Sequence, residues 1–301
     1  MKPFVKLLIA LAMSLPALPA AAALKVFTCE PEWAALVQDL AGDGASAYSA
    51  TTALQDVHHI EARPSLIARA RSADLLVCTG AELEIGWLPL LLTQSGNSRI
   101  QPGNPGYFEA SQYVAKLEVP KVLDRSLGDI HPAGNPHIQT DPRNIARVAE
   151  ALSARLAQID PANADTYRSR SKAFLDRWQA AIRRWEQQAS RLRGTPVVVY
   201  HKEWAYLFDW LGMREVGSLE PKPGIPPTPA HLVELVERMR REPAKVIVYS
   251  AYNDPKAAEF LAARTGIPTV MLPFTVGGSD RARDLFGLFD DTIGRLLEAV
   301  K

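Results

Sequence analysis

"PANADTYRSRSKAFLDRWQAAIRRWEQQASRL", residues 161–192, is the most regular stretch of the chain. Ala164, Tyr167, Ser171, Phe174, Trp178, Ala181, Trp185, Ala189 and Leu192 recur at steps of three or four, which lays one apolar or small stripe along an α-helix. Pro161 suits the first helical turn, where its missing N–H costs nothing, and Gly194 suits the stop. At 1.5 Å per residue the segment 161–192 spans about 48 Å, longer than one small domain needs. The spacing predicts a stiff spine across two units, and its aromatic stripe reads as core because packing alone accounts for it.

Both sides of the spine carry the same signature. Before it, short β-rich runs alternate with amphipathic stretches: "LKVFTC", "EWAALVQDLAG", "ASAYSATTAL", "RPSLIARARSA" and "DLLVCTG". After it come "TPVVVYH", "EWAYLFDWLG", "TPAHLVELVERMRREP", "AKVIVYS", "PKAAEFLAARTG", "IPTVMLPF" and a last helix near 281–300. Such βαβα alternation predicts an α/β fold of two lobes, each a parallel sheet flanked by helices, joined by one long rigid helix. The expected division is 24–159 for the first lobe, 160–193 for the linking helix and 194–301 for the second. In the Pro-rich loop 220–231, Thr228 is the expected cap and Pro229 the first residue of a helix.

Residues 1–23 read as a cleavable export label: Lys2 and Lys6, an apolar run from Leu7 to Leu18, then small residues at 21–23. That run is well short of the ~20 residues a membrane span needs. Removing the label leaves about 280 residues, enough for two domains with real cores. No Cys follows the apolar run directly, so the expected product is periplasmic and not lipid-anchored. The formal charge of +1 falls to −1 with the loss of the two lysines, and no basic run occurs, so neither nucleic acid nor anionic lipid is an expected partner. Cys29 and Cys78 each end a predicted strand; in an oxidising compartment they either bridge, if those strands are neighbours, or pack as two buried thiols.

Chemistry is expected where open α/β sheets bind ligands, beyond the carboxyl ends of strands. Three of the six histidines fall there: His58 after the second apolar run, His137 in "GNPHIQTDP" before the Asp141-Pro142 helix start, and His201 directly after "VVVY". Asp280, after the last strand and a Gly-Gly turn, holds the equivalent place. Three imidazoles and one carboxylate suit tetrahedral zinc, whereas calcium or magnesium would want oxygens throughout. Each His taken singly has a blander reading as a surface or capping residue.

At these residues the chain resembles the periplasmic substrate-binding proteins of zinc and manganese ABC importers. "HHIEARPS" is similar to the family's first ligand motif, "GNPHIQTDP" to its Asn-Pro-His and Asp-Pro element, and "YHKEWAYLFDWLG" to its His-centred strand exit. The resemblance covers nearly all the mature chain, long helix included. It implies metal ligation by His58, His137 and His201, with an acid from the last strand's loop as fourth ligand, best matched by Asp280. Gln139-Thr140 stands where the family has Trp-Leu, "LPFTVGG" where many members have Asp-Pro, and the long His-rich loop is replaced by 103–136 with the single His131.

The function this implies is a high-affinity carrier that delivers Zn²⁺, as cargo, to an ABC importer permease in the inner membrane. A periplasmic metallochaperone is a further expected partner, and the protein is read as a monomer and not as an enzyme. The alternatives are a manganese carrier, disfavoured by three imidazoles, and a zinc-dependent hydrolase, which would need an open coordination position and a general base. His131 reads as a solvated loop residue or a ligand-handing one, His59 as a side chain turned from His58 or a substitute ligand, and His231 as a surface residue. Glu203, Glu61 and Asp141 are candidates to receive the outer N–H of a ligand His, Asp141 doubling as a helix cap.

Overall fold

The computed structural model describes residues 23–124 and 128–301; all of the expected export label except Ala23 lies outside them. The first sheet is built from β1 (Leu24–Thr28), β2 (Ala45–Ser49), β3 (Leu75–Cys78) and β4 (Tyr107–Glu109), in the order β2-β1-β3-β4 and parallel throughout. The second repeats that order with β5 (Pro196–Val199), β6 (Arg214–Ser218), β7 (Val246–Ser250) and β8 (Thr269–Leu272), as β6-β5-β7-β8. The central strands β3 and β5 read "LLVC" and "PVVV" and are almost wholly buried. A parallel strand covered on both faces has no reason to alternate.

The helices are α1 (Pro31–Ala41), α2 (Pro64–Arg71), α3 (Leu88–Ser95), α4 (Pro142–Ile159), α5 (Ala164–Ala189), α6 (Ala205–Leu211), α7 (Pro229–Arg241), α8 (Lys256–Thr265) and α9 (Leu285–Ala299). Several start at a proline, which needs no N–H partner in the first turn. Thr228 caps α7 by accepting from the His231 backbone N–H at 3.3 Å, as the sequence predicts.

The spine is α5. Its regular α-helix has 26 residues, about 39 Å long, and one tight 3₁₀ turn at each end, Pro161–Asn163 and Ser190–Leu192, completes the predicted segment. Gly194 then reverses the chain at φ +76°, a conformation that disfavours any side chain. The stripe from Tyr167 to Ala189 is buried, and it belongs to a core that runs unbroken from Val26 of the first sheet to Leu296 of α9. Trp178 shows how the join is made. Its Nε1–H donates to the Pro142 carbonyl at 2.7 Å, while its ring meets Phe286 and Phe289 of α9 at 4.8 and 5.6 Å.

Cys29 and Cys78 form a disulfide, with Cα atoms 4.8 Å apart. The strands they end, β1 and β3, are direct neighbours, the condition that separates a bridge from two packed thiols.

Beside the bridge lie three buried carboxyls. Glu84 accepts from the Thr79 and Gly80 amides at 2.8 and 3.1 Å, Glu30 accepts from the Thr79 hydroxyl at 3.0 Å, and Glu32 accepts from Thr275 of the other half. Burial pushes Glu32 and Glu84 up to about 7 and Glu30 well above the usual carboxylate range. A raised acid pKa means the folded chain keeps protons that the unfolded chain has released. The contribution is therefore complete below about 4.5 and is lost as pH climbs through about 7. We expect the metal-free protein to melt at progressively lower temperature between pH 5 and 8, and Glu32→Gln to flatten part of that slope. Equal slopes for wild type and variant in calorimetry would contradict the assignment.

Candidate metal centre

The strands of both sheets point their carboxyl ends at one crevice, and the loops leaving β2, β4 and β5 carry His58, His137 and His201 into it. Two of the three are set by the same local device. In Asp56-Val57-His58 the Asp56 carboxylate accepts both the His58 backbone N–H at 3.0 Å and its ring Nδ1–H at 2.8 Å. In Asn135-Pro136-His137 the Asn135 Oδ1 does likewise at 3.0 and 2.9 Å. Each is an Asx turn that fixes backbone and imidazole together. His201 leaves β5 directly, and its Nδ1–H donates to Glu220 Oε2 at 2.7 Å.

All three partners are oxygen acceptors, so each Nδ1 is a donor and Nε2 is the nitrogen left for the crevice. The Nε2 atoms of His58 and His137 are buried without a protein partner. Ring centroids stand 5.3–5.6 Å apart, and one donor atom from each ring lies within 4.8 Å of those of the other two. Nitrogens at 2.0–2.1 Å from a tetrahedral zinc would be about 3.3 Å apart, so the cluster needs only a small contraction to share one ion.

The electrostatics favour a cation. Burial, together with the neighbouring His201, His58 and His131, holds His137 well below the usual imidazole range, so it is a neutral donor at pH 7. At His201 burial acts in the same sense, but the hydrogen bond to Glu220 and the charges of Glu203, Glu220 and Asp56 overcome it and push the ring up to about 9. The acids around the crevice call for positive charge there, and a divalent ion would displace that proton.

The fourth expected residue is placed otherwise. Asp280 is exposed, and its carbonyl accepts from Arg283 Nε at 2.8 Å. The turn before it closes on itself, Gly277 N–H donating to the Ala282 carbonyl at 2.6 Å and Gly278 N–H to that of Thr275 at 3.0 Å, which carries residue 280 to the surface. What this loop brings to the crevice is Phe274, whose ring lies 5.7 Å from that of His137.

His59 is exposed, 6.2 Å from His58 ring to ring, and Glu61 is exposed as well. The His231 ring is held by the Ser218 carbonyl at 2.9 Å. Asp141 caps α4 and is gripped by the Arg143 guanidinium at 2.7 Å. Glu203 is fully buried but accepts from Ser250, not from His201. Gln139 is buried with neither amide atom partnered. The groups that orient the rings, Asp56, Asn135 and Glu220, are absent from the sequence reading. For the first two the signal was there, an Asx residue two positions before each His; Glu220 meets His201 only through the pairing of β5 with β6.

A solute in this crevice is gripped by both halves at once, the arrangement of the substrate-binding proteins of ABC importers, here of the metal-binding kind. The chain belongs to the family described as zinc-uptake complex component A, periplasmic, whose model matches residues 26–299. It is similar to the high-affinity zinc uptake system protein ZnuA of Bacillus subtilis (strain 168), 23% identical over 248 residues that make up 81% of this chain and 76% of that one. It is also 22% identical over 265 residues to the manganese ABC transporter substrate-binding lipoprotein ScaA of Streptococcus gordonii, covering 83% of this chain and 79% of the relative. A crystal structure of ZnuA superposes with a TM-score of 0.77 at 20% identity, over 93% of this chain and all of that one, which establishes the common fold. Proteins of this class bind and hand over metal and are not enzymes. No helix among the described residues is long and apolar enough to cross a membrane.

Proposed function

We propose that the protein captures zinc between its lobes in the periplasm and presents it to an inner-membrane permease, with His58, His137 and His201 as ligands. One observation carries this reading: three imidazoles from both halves, each with its outer nitrogen tied to an oxygen acceptor, converge on one point, and the inner nitrogens of His58 and His137 are buried with no protein partner. Ligating histidines need that outer partner to fix ring and tautomer. A nitrogen-rich set favours zinc over manganese, which prefers more carboxylate oxygen. Asp280 joins the set only if the 276–280 turn swings inward. Because the ligands come from loops on both sheets, filling the site fixes the relative tilt of the halves about α5, and that tilt is what a permease or a periplasmic metallochaperone would read.

The test is a competitive titration of chelator-stripped protein with zinc and manganese, followed by metal analysis and melting. Zinc is expected to be retained in preference, and to raise stability by about 4 kcal/mol at a free concentration a thousand times its dissociation constant. Tighter retention of manganese would replace zinc by manganese in this reading. The name of the Streptococcus gordonii relative makes manganese the natural competitor.

A further inference from the structure

A fourth imidazole stands over the cluster. The His131 ring lies 5.5 Å from that of His58 and 6.5 Å from that of His137. Its Nε2 is buried and unpartnered, like those of His58 and His137. The Ala81 backbone lies beside the ring. His131 thus shares with His58 and His137 a buried inner nitrogen that no protein group satisfies.

That stretch of backbone carries a conformational cost. Ala81 and Glu82 have φ values of 54° and 65°, two consecutive residues with side chains in the left-handed region, and such outliers gather where geometry serves a site. The segment bearing His131 is also tied to the opposite half. Asp129 N–H donates to the Pro223 carbonyl at 2.9 Å, and Gly224 approaches so closely that a Cβ there would stand 2.1 Å from Asp129 Oδ2. Gly224 N–H in turn donates at 2.9 Å to Glu220 Oε2, the atom that accepts from His201. One cavity of about 250 Å³ is lined by His131 together with His137 and His201, and an adjoining one by His131 together with His58. Asp129, Ile130 and His131 line both.

We propose, building on the metal-carrier reading, that His131 is the fourth ligand of the transported ion and that the strap 128–134 completes an all-nitrogen tetrahedron while fastening one half to the other. His131 is farther from His137 than His58 and His201 are, so its approach is the step that completes the set. Four imidazoles leave no carboxylate oxygen on the ion, which sharpens discrimination against manganese.

The experiment compares His131→Ala, Asp280→Ala, Gly224→Ala and His137→Ala in the full mature chain, by zinc competition against a chromophoric chelator and by the visible spectrum of the Co²⁺-loaded protein. His131→Ala is expected to weaken zinc binding at least about tenfold and to alter the Co²⁺ bands, with Asp280→Ala neutral in both. Gly224→Ala, which keeps every ligand but pushes the strap off its seat, is expected to weaken zinc in the same direction by less. An unchanged spectrum and affinity in His131→Ala, with a loss in Asp280→Ala, would overturn the proposal and give the fourth position to the acid. If His137→Ala also left zinc binding intact, the carrier reading itself would fall, so the two failures are distinct.

Discussion

His137→Ala is expected to lower zinc affinity by about two to three orders of magnitude while leaving the secondary structure unchanged. Loss of a mere orienting partner to a ligating His costs about 10–100-fold, and loss of the donor itself must cost more. His137 is the most deeply buried of the three converging rings, 2% exposed, so water cannot take its place without a cavity opening beneath Phe274. Asn135→Ala gives the graded control. It removes the acceptor of both the His137 amide and the ring Nδ1–H, and should fall within the smaller range, about 10–100-fold. Isothermal titration of the two variants decides it. Equal, small losses in both would mean that His137 packs the crevice and holds no metal.

How much of this was legible beforehand depends on how local each cause is. The spine was plain because a 3.6-residue period repeats over seven turns and more, and only its last turn at each end winds tighter than predicted. β1, β3, β5 and β7 were plain because strands buried on both faces read as unbroken apolar runs. Two strands gave no such signal. "YFE" of β4 is three residues long, and "REVGS" of β6 is polar, with a register shift opposite Val197 and Val198. Both lie at sheet edges, where one flank needs no apolar cover. The convergence of His58, His137 and His201 followed from their places at strand ends, a topological argument that spacing supports. Asp280 met the same criterion and yet lies at the surface, because the criterion says which loop a residue is on and nothing about how a Gly-Gly turn aims it. Glu220 was out of reach altogether, since its contact with His201 depends on β6, the strand that could not be read.

Trp178→Ala should be the most damaging core substitution, costing about 3–5 kcal/mol, the range for removing a buried Trp or Phe ring. The ring is fully buried and stacks on Phe174 at 5.2 Å, meets Trp185 at 5.1 Å edge-on, and touches two aromatic rings of α9. Truncation would also leave the Pro142 carbonyl without its 2.7 Å donor inside the core. The consequence reaches beyond stability. Pro142 opens the helix that follows His137, whereas Phe286 and Phe289 belong to the half that carries His201. Trp178 is thus a point at which the two ligand-bearing halves are held at a common angle. We expect the variant to melt far lower and over a broader or split transition in calorimetry, as the halves lose their shared core. Zinc should recouple them, raising the variant's melting temperature more than the wild type's. A single sharp transition, shifted by no more than a surface substitution would shift it, would show that the halves are fixed by their loops and not by the spine.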